Sequence, residues 1–339
     1  MSQVASVRRF AGAARRRATI ERDVARARFA RADLALFHEF EPAPAGGAHQ
    51  SLRALVGELR RRGVRIAFNA IPPGTQACLF NSFNFDPARL ERFAVQQPDC
   101  RMVHRVGAVT TLYRGFDDGT DARVADLNRR FADATLAISH ATVEMYRSIG
   151  IELVDPHVVY NPVDTAIFTA HGREPFDRSR KTRIIAVSWS DNPHKGGPVY
   201  RWLDSVLDED RFELTFVGNC AEPLGRATVI PPVPSSELAD LLRRHDVFLT
   251  ATENDAYSNA LVEALSCGLP AVYLDSGGSS EAVKDAGFPF ERREEIPALL
   301  DRLVAEYEQR QALISLPTPD EVVDGYLDVL GLERFASRT

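Results

Sequence analysis

Two carboxylates, Asp255 and Glu263, flank a polar turn in the stretch Ala251 to Glu281, which reads ATENDAYSNALVEALSCGLPAVYLDSGGSSE. An apolar strand over 247–250 is expected to run into this turn. A helix is expected to leave it near Ser258 or Asn259 and to stop at Cys267–Gly268, where glycine can take the left-handed conformation. Pro270 then opens another apolar strand. The first amides of a helix have no internal partner, so a strand, a turn and a helix start form a site for an anion. Acids beside an anion site conflict, unless they hold hydroxyl groups while the amides hold the anion. Glu263 stands among Leu261, Val262, Ala264 and Leu265. Its helix is therefore expected to be largely buried, and a buried carboxylate needs partners.

The elements that must position these groups follow from composition and pattern. A chain of 339 residues exceeds one ordinary core, so two domains are expected. Its 45% apolar and 26% charged content is that of a globular protein. A net charge of -6 argues against nucleic acid as the partner. Cys78, Cys100, Cys220 and Cys267 are scattered and read as buried thiols of a reducing compartment. No run approaches the roughly 18 apolar residues of a membrane span. The N-terminus lacks the apolar core of a secretory signal, so a cytoplasmic location is expected. Residues 1–33 form a basic helical extension, with nine arginines against Glu21, Asp23 and Asp33. A solvated helix is favoured there over a peripheral contact with anionic lipid at the inner face of the membrane, because the apolar face is thin.

Along the chain, strands are expected at 34–40, 64–70, 77–81, 101–105, 134–139 and 157–160, with helices at 51–62, about 121–132 and 141–150. Gly46 and Gly47 lie in the first strand-to-helix turn, where glycine lets backbone approach a ligand closely. The polar segment 169–181 is read as a linker between an N-terminal domain (1–168) and a C-terminal domain (182–318). The second half repeats the alternation, with strands at 184–190, 212–219, 228–231 and 247–250. A terminal helix over 319–339 is expected to cross back to the first domain. Such alternation implies two doubly wound parallel sheets, class α/β, with a ligand cleft at the C-terminal strand ends.

The block DAYSNALVEALSCGLPAV resembles the donor-binding signature of the retaining glycosyltransferases of family 4. Asp255 and Glu263 have its spacing of two acids separated by seven, and Ala264, Gly268 and Pro270 continue it. YNPVDTAIF (160–168), HKGG (194–197) and GGSSE (277–281) resemble further signatures of that family, in the right order. The resemblance implies the GT-B fold, two Rossmann-like domains facing a cleft. It implies transfer of a sugar from a nucleotide-diphosphate sugar to a glycan or lipid-linked acceptor hydroxyl, with retention, in polysaccharide biosynthesis.

On that resemblance Glu263 takes the ribose hydroxyls and Asp255 the hydroxyls of the donor sugar. The amides of Tyr257, Ser258, Asn259 and Ala260 hold the diphosphate, with Lys195 as its cation. His104, expected at a strand end, would position the reacting sugar. Asp255 stands where the family has glutamate, and Glu253 is a nearby substitute. Ser190 stands where the family often has arginine, which leaves His194 and Arg105 as helpers for the phosphates. His38 and His49 flank the paired glycines and read as structural. No metal and no resident cofactor are expected: Asp208 to Asp210 and DDGTD (117–121) read as turns and a helix cap. Two other readings remain. One is a non-catalytic protein that binds a sugar nucleotide or glycan, which tight binding without turnover would reveal. The other is a nucleotide-sugar epimerase, which an epimerised donor without acceptor would reveal. The sequence leaves donor base, donor sugar and acceptor open.

Overall fold

The computed structural model describes residues 31–40, 47–70 and 72–337. The basic segment up to residue 30 and Gly46 lie outside the described residues, so the lipid contact and the role of Gly46 receive no structural account.

Two six-stranded sheets organise the chain. The first has the order β2-β1-β3-β4-β5-β6, with β1 Leu34–Phe37, β2 Ile66–Phe68, β3 Ala77–Asn81, β4 Arg101–Val106, β5 Ala134–Ala137 and β6 Pro156–Val158. The second has the order β12-β11-β10-β7-β8-β9, with β7 Thr182–Ser188, β8 Phe212–Gly218, β9 Thr228–Ile230, β10 Val247–Thr250, β11 Ala271–Leu274 and β12 Gly287–Phe290. All ten strand pairings are parallel. The central strands LALF, ACLFN and VFLT are fully buried, as strands covered by helices on both faces must be.

Helices fill the crossovers: α1 Gly47–Arg61, α2 Pro87–Gln96, α3 Thr110–Arg114, α4 Thr120–Phe131 and α5 His140–Ser148 in the first half. In the second half come α6 Gly197–Val206, α7 Ser235–Arg243, α8 Asn259–Ser266, α9 Ser279–Val283, α10 Ile296–Ala305 and α11 Tyr307–Ala312. The last helix, α12 Pro319–Val329, packs Val322, Val323, Tyr326 and Leu327 into the core of the first domain, beside Leu34, Leu55 and Leu136. Another apolar cluster joins the domains, with Val106, Val109 and Ile138 on one side and Tyr257, Leu261 and Val262 on the other.

In the second sheet β7 lies between β8 and β10, so consecutive connections diverge there. Ligands of open α/β sheets bind outside the strand ends at such a switch point. The loops leaving β7 and β10 are the ones that carry Lys195 and Asp255.

Candidate functional site

Lys195 ends a 3-10 turn, Pro193–Lys195, whose Asn192 side chain accepts from the His194 amide. Gly196 follows at φ +85, and a Cβ there would meet the Ala251 Cβ at 2.5 Å and its carbonyl oxygen at 2.7 Å. Only glycine lets the two loops approach so closely. The Glu253 amide donates to the His194 carbonyl, which stitches the two loops together. The Lys195 Nζ reaches the Asp255 carboxylate at 2.9 Å and lies 4.8 Å from the centre of the Tyr113 ring, which comes from the first domain. Burial works against the charge on Lys195, but Asp255 and Tyr113 outweigh it and raise its pKa.

Helix α8 starts as expected, with Ser258 at the N-cap in extended conformation. The Ser258 hydroxyl makes no capping bond, so it leaves the first amides of the helix for another acceptor. Tyr257 is buried and its ring stacks on Tyr160 at 4.8 Å between centres. Asn259 accepts from the Asn161 side chain across the domain boundary, at 3.0 Å.

One turn further, Glu263 faces a cavity of about 430 Å³. The far wall is α1 of the first domain, through Gln50, Ser51, Arg53 and Gly57. Asn161 and Asp164 close one side. Among the described residues no group hydrogen-bonds the Glu263 carboxyl, and burial alone pushes its pKa up to about 8. A carboxyl desolvated, unpartnered and open to a cavity is a group waiting for donors. Glu263 and Asn259 line this cavity, whereas Lys195 and Asp255 lie outside its lining. Gly47 is the first residue of α1.

Two expectations need correction. His104 is not in the cleft. Strand β4 continues two residues beyond it, so its ring points into the layer beneath rather than over the strand ends. The ring is fully buried and stacks on Phe80 at 4.3 Å. Its Nε2 bonds the Ser82 carbonyl and its Nδ1 the Asn128 side chain. Burial lowers its pKa to about 4, so it is a neutral structural histidine. Arg105 is not a phosphate helper, since its guanidinium donates to the Tyr326 hydroxyl, Asn81, Ser51 and Asn161. Glu253, the nearby substitute, pairs with His194 Nδ1 at 2.7 Å.

His38 and His49 bond each other at 3.0 Å, and burial drives the His38 pKa down to about 3. Among the described residues no group of three or more His, Cys, Asp and Glu side chains is placed to hold a metal. The acids of DDGTD serve backbone: the Asp121 carboxylate accepts from the Thr110 and Thr111 amides at the start of α3. A larger cavity of about 630 Å³ lies between Phe168, Arg173, Leu265 and Leu316, and it contains no carboxylate. Sequence reasoning missed the α1 wall, because nothing local tells which helix faces Glu263. The only signal for it was Gly57, a glycine inside a helix that has no turn to make.

Residues 221–315 match the profile of the family Glycosyl transferases group 1. The match covers the part of the second domain that carries Asp255 and Glu263. A D-inositol 3-phosphate glycosyltransferase of Paenarthrobacter aurescens is 27% identical over 193 residues, 49% of this chain and 45% of that protein. A GDP-mannose-dependent alpha-mannosyltransferase of Mycobacterium tuberculosis is 26% identical over 175 residues, 45% of this chain and 42% of that protein. These matches span less than half the length of each relative. Among solved structures, the sucrose-phosphate synthase of Thermosynechococcus elongatus superposes with a TM-score of 0.65 at 13% identity, covering 90% of this chain and 96% of that one. HepE of Anabaena in complex with UDP gives 0.60 at 16% identity, covering 89% and 97%. The fold is GT-B, as the resemblance implied.

Proposed function

We propose that this protein is a glycosyltransferase that moves a sugar from a nucleotide-diphosphate sugar to an acceptor hydroxyl, with retention at the anomeric carbon. The observation that carries the reading is Glu263, a half-buried, desolvated carboxyl with no hydrogen-bond partner among the described residues, open to a cavity between the domains. Two vicinal ribose hydroxyls donating to it would satisfy both oxygens. A hydrogen bond to a charged group contributes about 1.5–3 kcal/mol. The α8 amides and Lys195 would take the diphosphate, and Asp255 would release Lys195 and turn to the sugar hydroxyls. The relatives named for inositol phosphate and mannosyl transfer, and the solved complex with UDP, support this class of donor.

Lys195 and the amides would stabilise the departing diphosphate, where the negative charge develops. The acceptor hydroxyl attacks the anomeric carbon on the face the diphosphate leaves, and a diphosphate oxygen takes its proton. The anomeric bond to diphosphate breaks as the new glycosidic bond forms. Same-face attack suits a site where no carboxylate stands out as a nucleophile. Thermal-shift measurement against a panel of nucleotide-diphosphate sugars tests the donor class, and anomeric analysis of the product tests retention. A donor that stabilises the wild type but not Glu263→Gln supports the reading. A panel in which no sugar nucleotide shifts the wild type removes it.

A further inference from the structure

We propose that Glu281 is a positioning residue which, with Asn192 and Asn254, holds the two domains together over the cleft by capturing the ends of two helices of the first domain. The inference concerns domain orientation, and it rests on the proposed transfer only for its effect on donor binding.

Glu281 lies in the first turn of α9, in the second domain. Its two oxygens accept from the His140 amide at 2.9 Å and the Ala141 amide at 2.7 Å, at the start of α5 in the first domain. The next orphan amide, Thr142, is taken by the helix's own cap, Ser139. One carboxylate thus completes the cap of a helix about 140 positions away, at the end whose dipole favours negative charge. The Tyr160 hydroxyl donates to the same carboxylate at 3.2 Å, while its ring stacks on Tyr257.

The second contact has the opposite polarity. Helix α3 ends at Gly115, and its last carbonyls have no helical donor. The Asn254 side-chain Nδ2 donates to the Leu112 carbonyl at 3.3 Å, and the Asn192 side-chain Nδ2 to the Tyr113 carbonyl at 3.1 Å. Asp121 fixes the other end of α3, so this short helix is held at both ends. Asn254 adopts φ +52, and its own amide is held by the Ser276 hydroxyl at 2.9 Å. Asparagine is among the few non-glycine residues that take this conformation readily.

Both contacts belong to the loops that carry the donor groups. Asn192 lies three residues before Lys195, and Asn254 precedes Asp255. The Gly277–Gly278 turn before α9 sits so close to the 255–256 backbone that a Cβ at either glycine would come within about 2 Å of a carbonyl oxygen. The Gly278 amide donates to the Asp255 carbonyl at 2.8 Å. Ordering the donor loop and closing the domains are therefore one event. When the domains part, water replaces Glu281 and the asparagines at the helix ends, so the contact is reversible.

Spin labels at Val95 and Val206, exposed positions of the two domains, report the orientation. A Cys220→Ser background removes the one cysteine that is not buried. The wild type is expected to give one narrow distance distribution by pulsed electron resonance. Glu281→Gln, which keeps size, and Asn254→Gly, which keeps the left-handed backbone, are expected each to add a longer population, and the double variant more. With circular dichroism unchanged, donor KM is expected to rise about tenfold while kcat at saturating donor holds, because donor binding then drives closure. A double variant with the wild-type distribution overturns the proposal. Shifted distances in a protein that transfers no sugar would uphold the latch and sink the proposed function instead.

Discussion

Glu263 carries a carboxyl whose ionisation the fold opposes. With a folded pKa near 8 against an ordinary 4.5, the folded protein keeps a proton that the unfolded chain has lost at intermediate pH. Stability should therefore fall as pH rises through that window, by about 1.4 kcal/mol per pH unit from this group. His38 and His104, with folded pKa values near 3 and 4, act in the other direction: their contribution is present above the ordinary histidine pKa and lost as pH falls. The measurable quantity is thus the difference between wild type and Glu263→Gln in urea unfolding at pH 5 to 8. That difference should grow with pH in favour of the variant, and a flat difference would show that Glu263 is not desolvated. Hydroxyls donate to the carboxylate rather than to the acid, so donor affinity should also rise toward pH 8, and Glu263→Gln should lose that dependence. Lys195 makes a separate prediction. Replacing it by alanine should cut turnover by about 10²–10³, the size of a lost donor at a developing anion. Circular dichroism should show the fold intact, and steady-state rates at saturating donor decide the matter. Undiminished turnover would remove Lys195 from the chemistry.

At the scale of elements, two glycines separate strain from clearance. Gly196 joins the β7 loop to α6 at φ +85, with Ala251 against the position of any side chain. Gly196→Ala should cost about 1–3 kcal/mol and displace Lys195. Gly57 lies inside α1 with nothing within 4 Å of an added Cβ. Gly57→Ala should stabilise by up to about 1 kcal/mol, because alanine is the better helix former. Thermal unfolding of the pair, run side by side, should give shifts of opposite sign. The same contrast explains what the sequence could reveal. The strands were legible because their apolar runs are bounded by turns, and the Asp255–Glu263 helix because its start, spacing and glycine stop are local. Helix α3 was not, since its five residues TTLYR are held by Asp121, ten residues downstream, and by asparagines of the other domain. Strand β12, GFPF, was not assigned from the sequence, and its pairing with β11 makes it a strand. His104 was misplaced because it was read as standing at the strand's end, whereas β4 runs on to Val106 and keeps His104 inside the strand. That moves a side chain from the rim of the sheet into its underside.

At the scale of the molecule, the end of the chain completes the beginning. Helix α12 follows the whole second domain in sequence, yet its buried residues Val323, Tyr326 and Leu327 fill the first domain's core. The Tyr326 hydroxyl accepts from Arg105, whose other donors hold Ser51 on α1, Asn81 at the end of β3 and Asn161 before the linker. The Arg62 guanidinium pairs with Asp320 and Asp324 on the same helix. Each fully buried apolar side chain contributes about 1.5–3 kcal/mol. Withdrawing three of them, together with a buried guanidinium's partner, costs about as much as the 5–15 kcal/mol that a domain holds in all. Truncation after residue 317 should therefore unfold the first domain and leave the second folded. The first domain's contribution to the calorimetric transition should vanish, while Cys267 should stay protected from thiol reagents, as its place in the second core requires. A truncated chain that still melts with both domains intact would show that Arg105 and its partners hold the first domain without α12. Tyr326→Phe is the finer version of this experiment. It keeps the ring in the core and removes only the hydroxyl, leaving the Arg105 Nε buried without its acceptor, at a cost of about 1–3 kcal/mol. A loss of that size in Tyr326→Phe, alongside collapse in the truncation, would assign the helix's role to packing first and to the Arg105 network second.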